Sequence, residues 1–300
     1  MSELDRRALL GVVGMVGVAG VAAIATRRAE AGPLVPPAGP VGGTGRTIDE
    51  VYNKIPLAGA TDGRIPIPGG GPVTISVPGS YVLTGDLAGG GASTPVLSIT
   101  SHHVNIDLAG RTLITTNSSI NVISMGASLR NVRIHNGATQ GGMTGIAVGA
   151  TCRDIVIEEM RVMNTRRYGI VASSSANLGV HIRRCILASI GSESVLADAY
   201  PTITAILLSG ASCSIQDCRI DRVISANNGT SRRGIDCVTA VSVAIERNTI
   251  TSNTPVPDWG CGILSSADSS GIMRDNSVHN FLDGYGRMAP AASWAETANF

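Results

Sequence analysis

The chain has 300 residues, enough for one large domain or two small ones, with 23 Lys and Arg against 22 Asp and Glu and a net charge of +1. That balance leaves no basic run for nucleic acid and no solvated acidic tail. Charged residues make up only 15% and aromatics 3%, while Gly reaches 37, a composition suited to strands and turns rather than helices.

Arg6-Arg7 precede an apolar run from Ala8 to Ala25, diluted by Gly11, Gly14, Gly17 and Gly20. Ala29-Glu30-Ala31 then offers small residues for signal-peptidase cleavage. Asp5-Arg6-Arg7-Ala8-Leu9-Leu10 resembles the twin-arginine motif, with Leu9 where Phe is commoner. Residues 1–31 therefore read as an export signal, implying a periplasmic, cell-surface or extracellular protein. The same run is long enough to remain as an uncleaved anchor, the one route by which a membrane enters this reading. Pro33, Pro36, Pro37 and Pro40, interleaved with glycines, make residues 32–46 a linker. Over 47–55, Ile48, Val51, Tyr52 and Ile55 share one helical face, and Thr47 with Glu50 forms a capping box. Stacked coils expose raw strand edges at their ends, so this helix and the segment to residue 71 are expected to cap the N-terminal end.

From there a six-residue phrase recurs: apolar, any, charged, Cys/Asn/Met, any, apolar. It runs Ile157–Val162, Ile182–Leu187, Ile215–Ile220, Ile245–Ile250 and Met273–Val278. Its fourth positions, 160, 185, 218, 248 and 276, are 25, 33, 30 and 28 residues apart, a period that marks stacked repeats. A second phrase precedes each: Gly145-Ile146, Gly169-Ile170, Ala205-Ile206, Gly234-Ile235 and Gly262-Ile263. Ile155-Val156-Ile157 and Val243-Ala244-Ile245 alternate with period two, so each coil holds short strands. Length variation is confined to the return segments 163–168, 188–204, 221–233 and 251–261. Stacking predicts two inward ladders, Ile146-Ile170-Ile206-Ile235-Ile263 in a first sheet and Ile157-Ile182-Ile215-Ile245-Met273 in the next. Asn248 and Asn276 fall at the bend between two strands, where stacked amides bond each other and the turn backbone. Cys185 and Cys218 take the same bend in earlier coils as small fillers.

These phrases resemble the right-handed parallel β-helix repeat family of the pectin-lyase-like superfamily. Gly79–Leu87 and Val104–Gly110 resemble opening coils of bacterial members, while residues 95–118 and 119–143 fit the phrase loosely. The resemblance covers residues 72–287 and leaves 288–300 as a tail. It implies an all-β fold: a single-stranded right-handed parallel β-helix with a short N-terminal capping helix.

The resemblance also implies a ligand cleft along the first sheet, walled by the return loops. The outward residues there would be Ala147, Val171, Leu207, Asp236 and Leu264. The adjoining loops bring Arg166, Arg167, Tyr168, Asp198, Tyr200, Arg232, Arg233, Asp258 and Trp259. Aromatic faces stack on sugar rings and Arg forks suit uronic carboxylates, so Arg166, Arg167, Tyr168, Tyr200, Arg232 and Trp259 are the ligand-binding candidates. Glycoside hydrolysis needs two carboxyls flanking the bond, and Asp236 with Asp198 or Asp258 is the pair available. A calcium-dependent lyase needs several carboxylate oxygens and an Arg or Lys base, which would draw on the same three Asp residues and Arg233. Ca2+ enters only with that reading, and no other cofactor is indicated.

His102-His103 lacks a third ligand and reads as a turn or surface position rather than a metal site. Of the six cysteines, Cys213 and Cys237 fall at inward strand positions. Cys185–Cys218 is the one disulfide the register suggests, since adjacent coils bring equivalent positions within reach. The chain thus reads as an exported protein contacting polysaccharide beside its long return loops. A polysaccharide lyase or glycoside hydrolase, and a non-enzymatic cell-surface or adhesive solenoid, are the alternatives.

Overall fold

Parallel pairing at coil spacing organises the chain. The computed structural model describes residues 63–89, 91, 93–192, 202–225, 231–252, 260–281, 283–287 and 294–297. Every regular element among them is a strand, and consecutive strands of a sheet lie one coil apart and pair in parallel. The export signal, the linker and the helix expected over 47–55 fall outside the described residues. Strand pairing spans Ile65–Ile67, which pairs with Gly79–Leu83, through Trp294–Thr297, which pairs with Gly271–Arg274.

Three sheets result. The first aligns Val73, Leu97, Ile123, Ile146, Ile170, Ile206, Ile235, Ile263 and Tyr285 in one column. The second aligns Tyr81, Ile106, Ile134, Ile157, Ile182, Ile215, Ile245 and Met273. The third aligns Leu87, Leu113, Thr139, Val162, Leu187, Ile220, Ile250 and Val278. Both predicted ladders are therefore present residue for residue, and the early coils that fit the phrase loosely keep the same register. The Ile members of the predicted ladders are wholly buried. Each such side chain contributes about 1.5–3 kcal/mol relative to exposure.

The Gly of the Gly-Ile phrase has a spatial cause. A Cβ on Gly234 would lie 2.5 Å from the Gly262 carbonyl oxygen and 2.5 Å from Ile250 Cγ2. The first and third sheets converge at the loop-bearing edge, leaving room for a hydrogen in four of the five phrases and for the methyl of Ala205 in the other.

The bend between the second and third sheets is built differently. Its charged residue is left-handed in each of the five phrases: Glu159, Arg184, Asp217, Arg247 and Asp275 have φ of 52–58°. That conformation costs a non-glycine residue about 1–2 kcal/mol. Backbone bonds between coils, such as Arg184 N–H to Gln216 O at 3.0 Å and Asp217 N–H to Glu246 O at 3.1 Å, offset it. The next residue turns inward and stacks. Asn248 Nδ2 donates to Ile215 O at 3.0 Å and to Asn276 Oδ1 at 2.9 Å, while Asn276 Nδ2 donates to Ile245 O at 2.9 Å. Cys185 and Cys218 hold the same place two coils and one coil earlier, their sulfurs 3.6 and 3.8 Å from the carbonyls of Ile157 and Ile182.

All six cysteines are buried and free, so the Cys185–Cys218 disulfide suggested by the register is not formed. The Cys185 and Cys218 thiols each face a carbonyl of the preceding coil, in the role the Asn amide plays further along. The neighbouring Cys185 and burial push the Cys218 thiol up from its ordinary pKa.

Candidate functional site

Pairing places the outward column of the first sheet as the sequence predicts, Ala147, Val171, Leu207, Asp236 and Leu264, and extends it back to Ser124. Asp236 lies in the strand Ser231–Val241, points out of the coil, and is nevertheless buried. Its Oδ2 accepts from Arg233 Nη1 at 2.5 Å. Burial raises its proton affinity above the ordinary aspartate value, and Arg233 opposes that rise without cancelling it. Arg233 also donates from Nε to Ser231 Oγ at 3.4 Å. Arg232 belongs to the same strand and is 6% exposed, and burial lowers the proton affinity of its guanidinium.

Tyr168 begins the strand Tyr168–Ala172 and pairs with Thr204, which pairs with Arg233. Tyr168 and Arg233 thus share a column two coils apart, or roughly 10 Å at the usual strand spacing. The Arg167 guanidinium carbon stands 4.6 Å from the centre of the Tyr168 ring, a cation–π pair. Arg166 reaches back to donate from Nη1 to Ser118 Oγ at 3.2 Å. The structure therefore brings together Arg166, Arg167, Tyr168, Arg233 and Asp236 along one edge of the first sheet. Asp198, Tyr200, Asp258 and Trp259 lie outside the described residues.

Among the described residues no three His, Cys, Asp or Glu side chains converge as a metal site. His103 sits in the left-handed region at a turn, and His102 Nδ1 accepts from the Arg130 amide at 3.2 Å.

Sequence reading missed a second constellation, on the outer face of the second sheet. Register there stacks Asp107, His135, Glu158, Arg183, Gln216, Glu246 and Arg274. Glu158 is completely buried beneath three guanidiniums: Oε1 accepts from Arg133, and Oε2 accepts from Arg183 Nε at 2.5 Å and Arg184 Nη2 at 2.9 Å. Burial alone would raise its pKa, but the Arg183 and Arg133 hydrogen bonds outweigh burial and hold the carboxyl below the usual glutamate range. The neighbouring bend column pairs Arg184 with Glu159 and Arg247 with Asp217. The signal was readable in the phrase itself, where Glu158-Glu159, Arg183-Arg184, Gln216-Asp217, Glu246-Arg247 and Arg274-Asp275 largely alternate in sign.

No protein-family model matches this sequence, and no curated protein matches it. Among solved structures the chain is similar to an alginate lyase from Paenibacillus sp. str. FPU-7, at 11% identity over 77% of this chain and 99% of that one, with a TM-score of 0.40. It is also similar to the catalytic domain of a GH87 alpha-1,3-glucanase in complex with nigerose, at 12% identity, 79% of this chain and a TM-score of 0.24. The matched region spans 64% of that glucanase domain.

Proposed function

We propose that this is an exported solenoid protein that binds an acidic polysaccharide along the loop-bearing edge of its first sheet. The observation that carries the reading is the Arg167–Tyr168 stack in register with Arg233 two coils on. An aromatic face beside a guanidinium suits a sugar ring, and a second guanidinium further along the same column suits a uronate carboxylate. Export rests on the twin-arginine-like start and the small-residue cleavage site. Retention of the purified full chain on immobilised polygalacturonate and alginate, lost in R167A/Y168A, is the expected result. Equal retention of that variant removes this site, and no retention of the parent chain on any acidic glycan removes the reading.

Asp236 favours a second reading, a lyase or hydrolase. A buried carboxyl of raised proton affinity, held by an arginine on the ligand-facing column, is the kind of group catalysis uses. Unsaturated or reducing products that vanish in D236N would establish it. Binding without products leaves the protein a non-catalytic glycan binder.

A further inference from the structure

The outer face of the second sheet neutralises itself nearly everywhere. Glu158 meets Arg183, Glu246 meets Arg274, Glu159 meets Arg184, and Asp217 meets Arg247, in each case across neighbouring coils. Alternation of this kind stabilises the stack, because like charges directly opposite each other on adjacent strands repel.

One place breaks the rule. Arg130 and Arg153 are direct register partners, one coil apart, where the chain turns into the second sheet. Both are exposed, and among the described residues neither side chain is in an ion pair. Asp154 stands next in the chain to Arg153 and pairs with neither. In these coils and the next, Arg133, Arg183 and Arg184 cover the single buried Glu158 while 42–48% of each of these side chains remains open to solvent. Within residues 130–135, 153–159 and 178–184 of three consecutive coils, five guanidiniums thus stand against three carboxylates, Asp154, Glu158 and Glu159. A local rule broken without compensation inside the fold marks a functional surface.

We infer that this face is a second anion-binding surface, which takes a uronate-bearing polysaccharide laid across the strands at Arg130 and Arg153. The inference does not depend on the first-sheet edge, since it uses none of the same residues. Widely spaced carboxylates on a glycan can reach the open guanidiniums and avoid Asp154. A nucleic acid, with about one charge per 1.7 Å of duplex, would meet the interspersed carboxylates. No Phe, Tyr or Trp of the described residues lies on this face for a base to stack on.

The test uses the full chain, polygalacturonate as probe, and the variants R130S/R153S and R167A/Y168A. At low salt R130S/R153S should bind roughly 3- to 10-fold more weakly, the effect of losing two exposed charge contacts. The difference should shrink as salt is added, and R130S/R153S should melt no lower than the parent. A further loss when the two pairs are combined would show two separate surfaces. Should the double serine variant fold poorly, R153L, which copies the Leu178 of the next coil, serves in its place. Unchanged polygalacturonate affinity in R130S/R153S overturns the inference even where R167A/Y168A abolishes binding. Tighter binding of a single-stranded oligodeoxynucleotide, lost in the same variant, also overturns it by naming another partner.

Discussion

Glu158 on the second sheet and Asp236 on the first are both outward-facing carboxylates that the fold has buried, yet their acidities move in opposite directions. Glu158 is covered by the guanidiniums that bond it, three of them, each half in water. Asp236 has one partner, Arg233, and burial wins. The contrast extends to the two edges of the coil. The bend column beside Glu158 closes on left-handed turn residues that repeat in every phrase and, at Asn248 and Asn276, on stacked amides. The edge beside Asp236 closes by steric convergence at Gly-Ile and then lets the chain leave in loops of unequal length. Number of charge partners, rather than burial by itself, decides which buried carboxylate stabilises the fold and which is held in tension.

The largest expected effect tests the convergent edge. Gly234→Val places carbon where a backbone oxygen and Ile250 already stand, so a loss above about 3 kcal/mol, or failure to fold, is expected in urea unfolding. Wild-type stability would show that the two sheets can part, and that loop-edge glycines are not steric. Next comes the bend: Asn248→Ala removes two donated bonds and the acceptor for the Cys218 amide, for an expected loss of about 2–3 kcal/mol. Asn248→Cys, copying Cys218, should recover part of it.

Glu158→Ala leaves three arginines around an empty place and should cost about 1–2 kcal/mol, since the guanidiniums keep much of their solvent. Because the folded pKa of Glu158 is depressed, its contribution is complete above the ordinary value of 4.5 and is lost as pH falls through the lower folded value. Acid titration of stability should therefore be shallower in that range for the variant than for the parent. Asp236→Asn is the smallest and opposite case. Its raised folded pKa means that the native state favours the proton: stability is greatest below 3.8 and declines as pH rises through the folded value. The amide variant should be within about 1 kcal/mol of the parent at neutral pH, or more stable. A large loss would mean that the Arg233 pair, and not burial, dominates.

The repeat was legible because inward positions tolerate little but Ile, Val, Leu, Met, Cys or Asn, and the period writes them out. The Asn stack was legible for the same reason. The disulfide suggested for Cys185–Cys218 was not realised, since register proximity alone does not separate a thiol that bonds a carbonyl from one that bonds sulfur. The Arg133-Arg183-Arg184 cover over Glu158 was missed because the arginines come from the coils on either side of the glutamate, and in the sequence they look like scattered solvated charges with no basic run. Arg232 read as a loop residue open to ligand, but the strand extends back to Ser231 and buries it.

Side-chain alternation and the spacing of the phrase determined by themselves that this chain stacks in parallel coils, and which residues face inward, because a one-residue slip would turn every ladder inside out. Tertiary structure alone decided which charges meet. Partners 23 to 33 residues apart in sequence become neighbours only when coils stack, and whether a carboxylate gains one guanidinium or three depends on what the adjacent coils happen to present at that height.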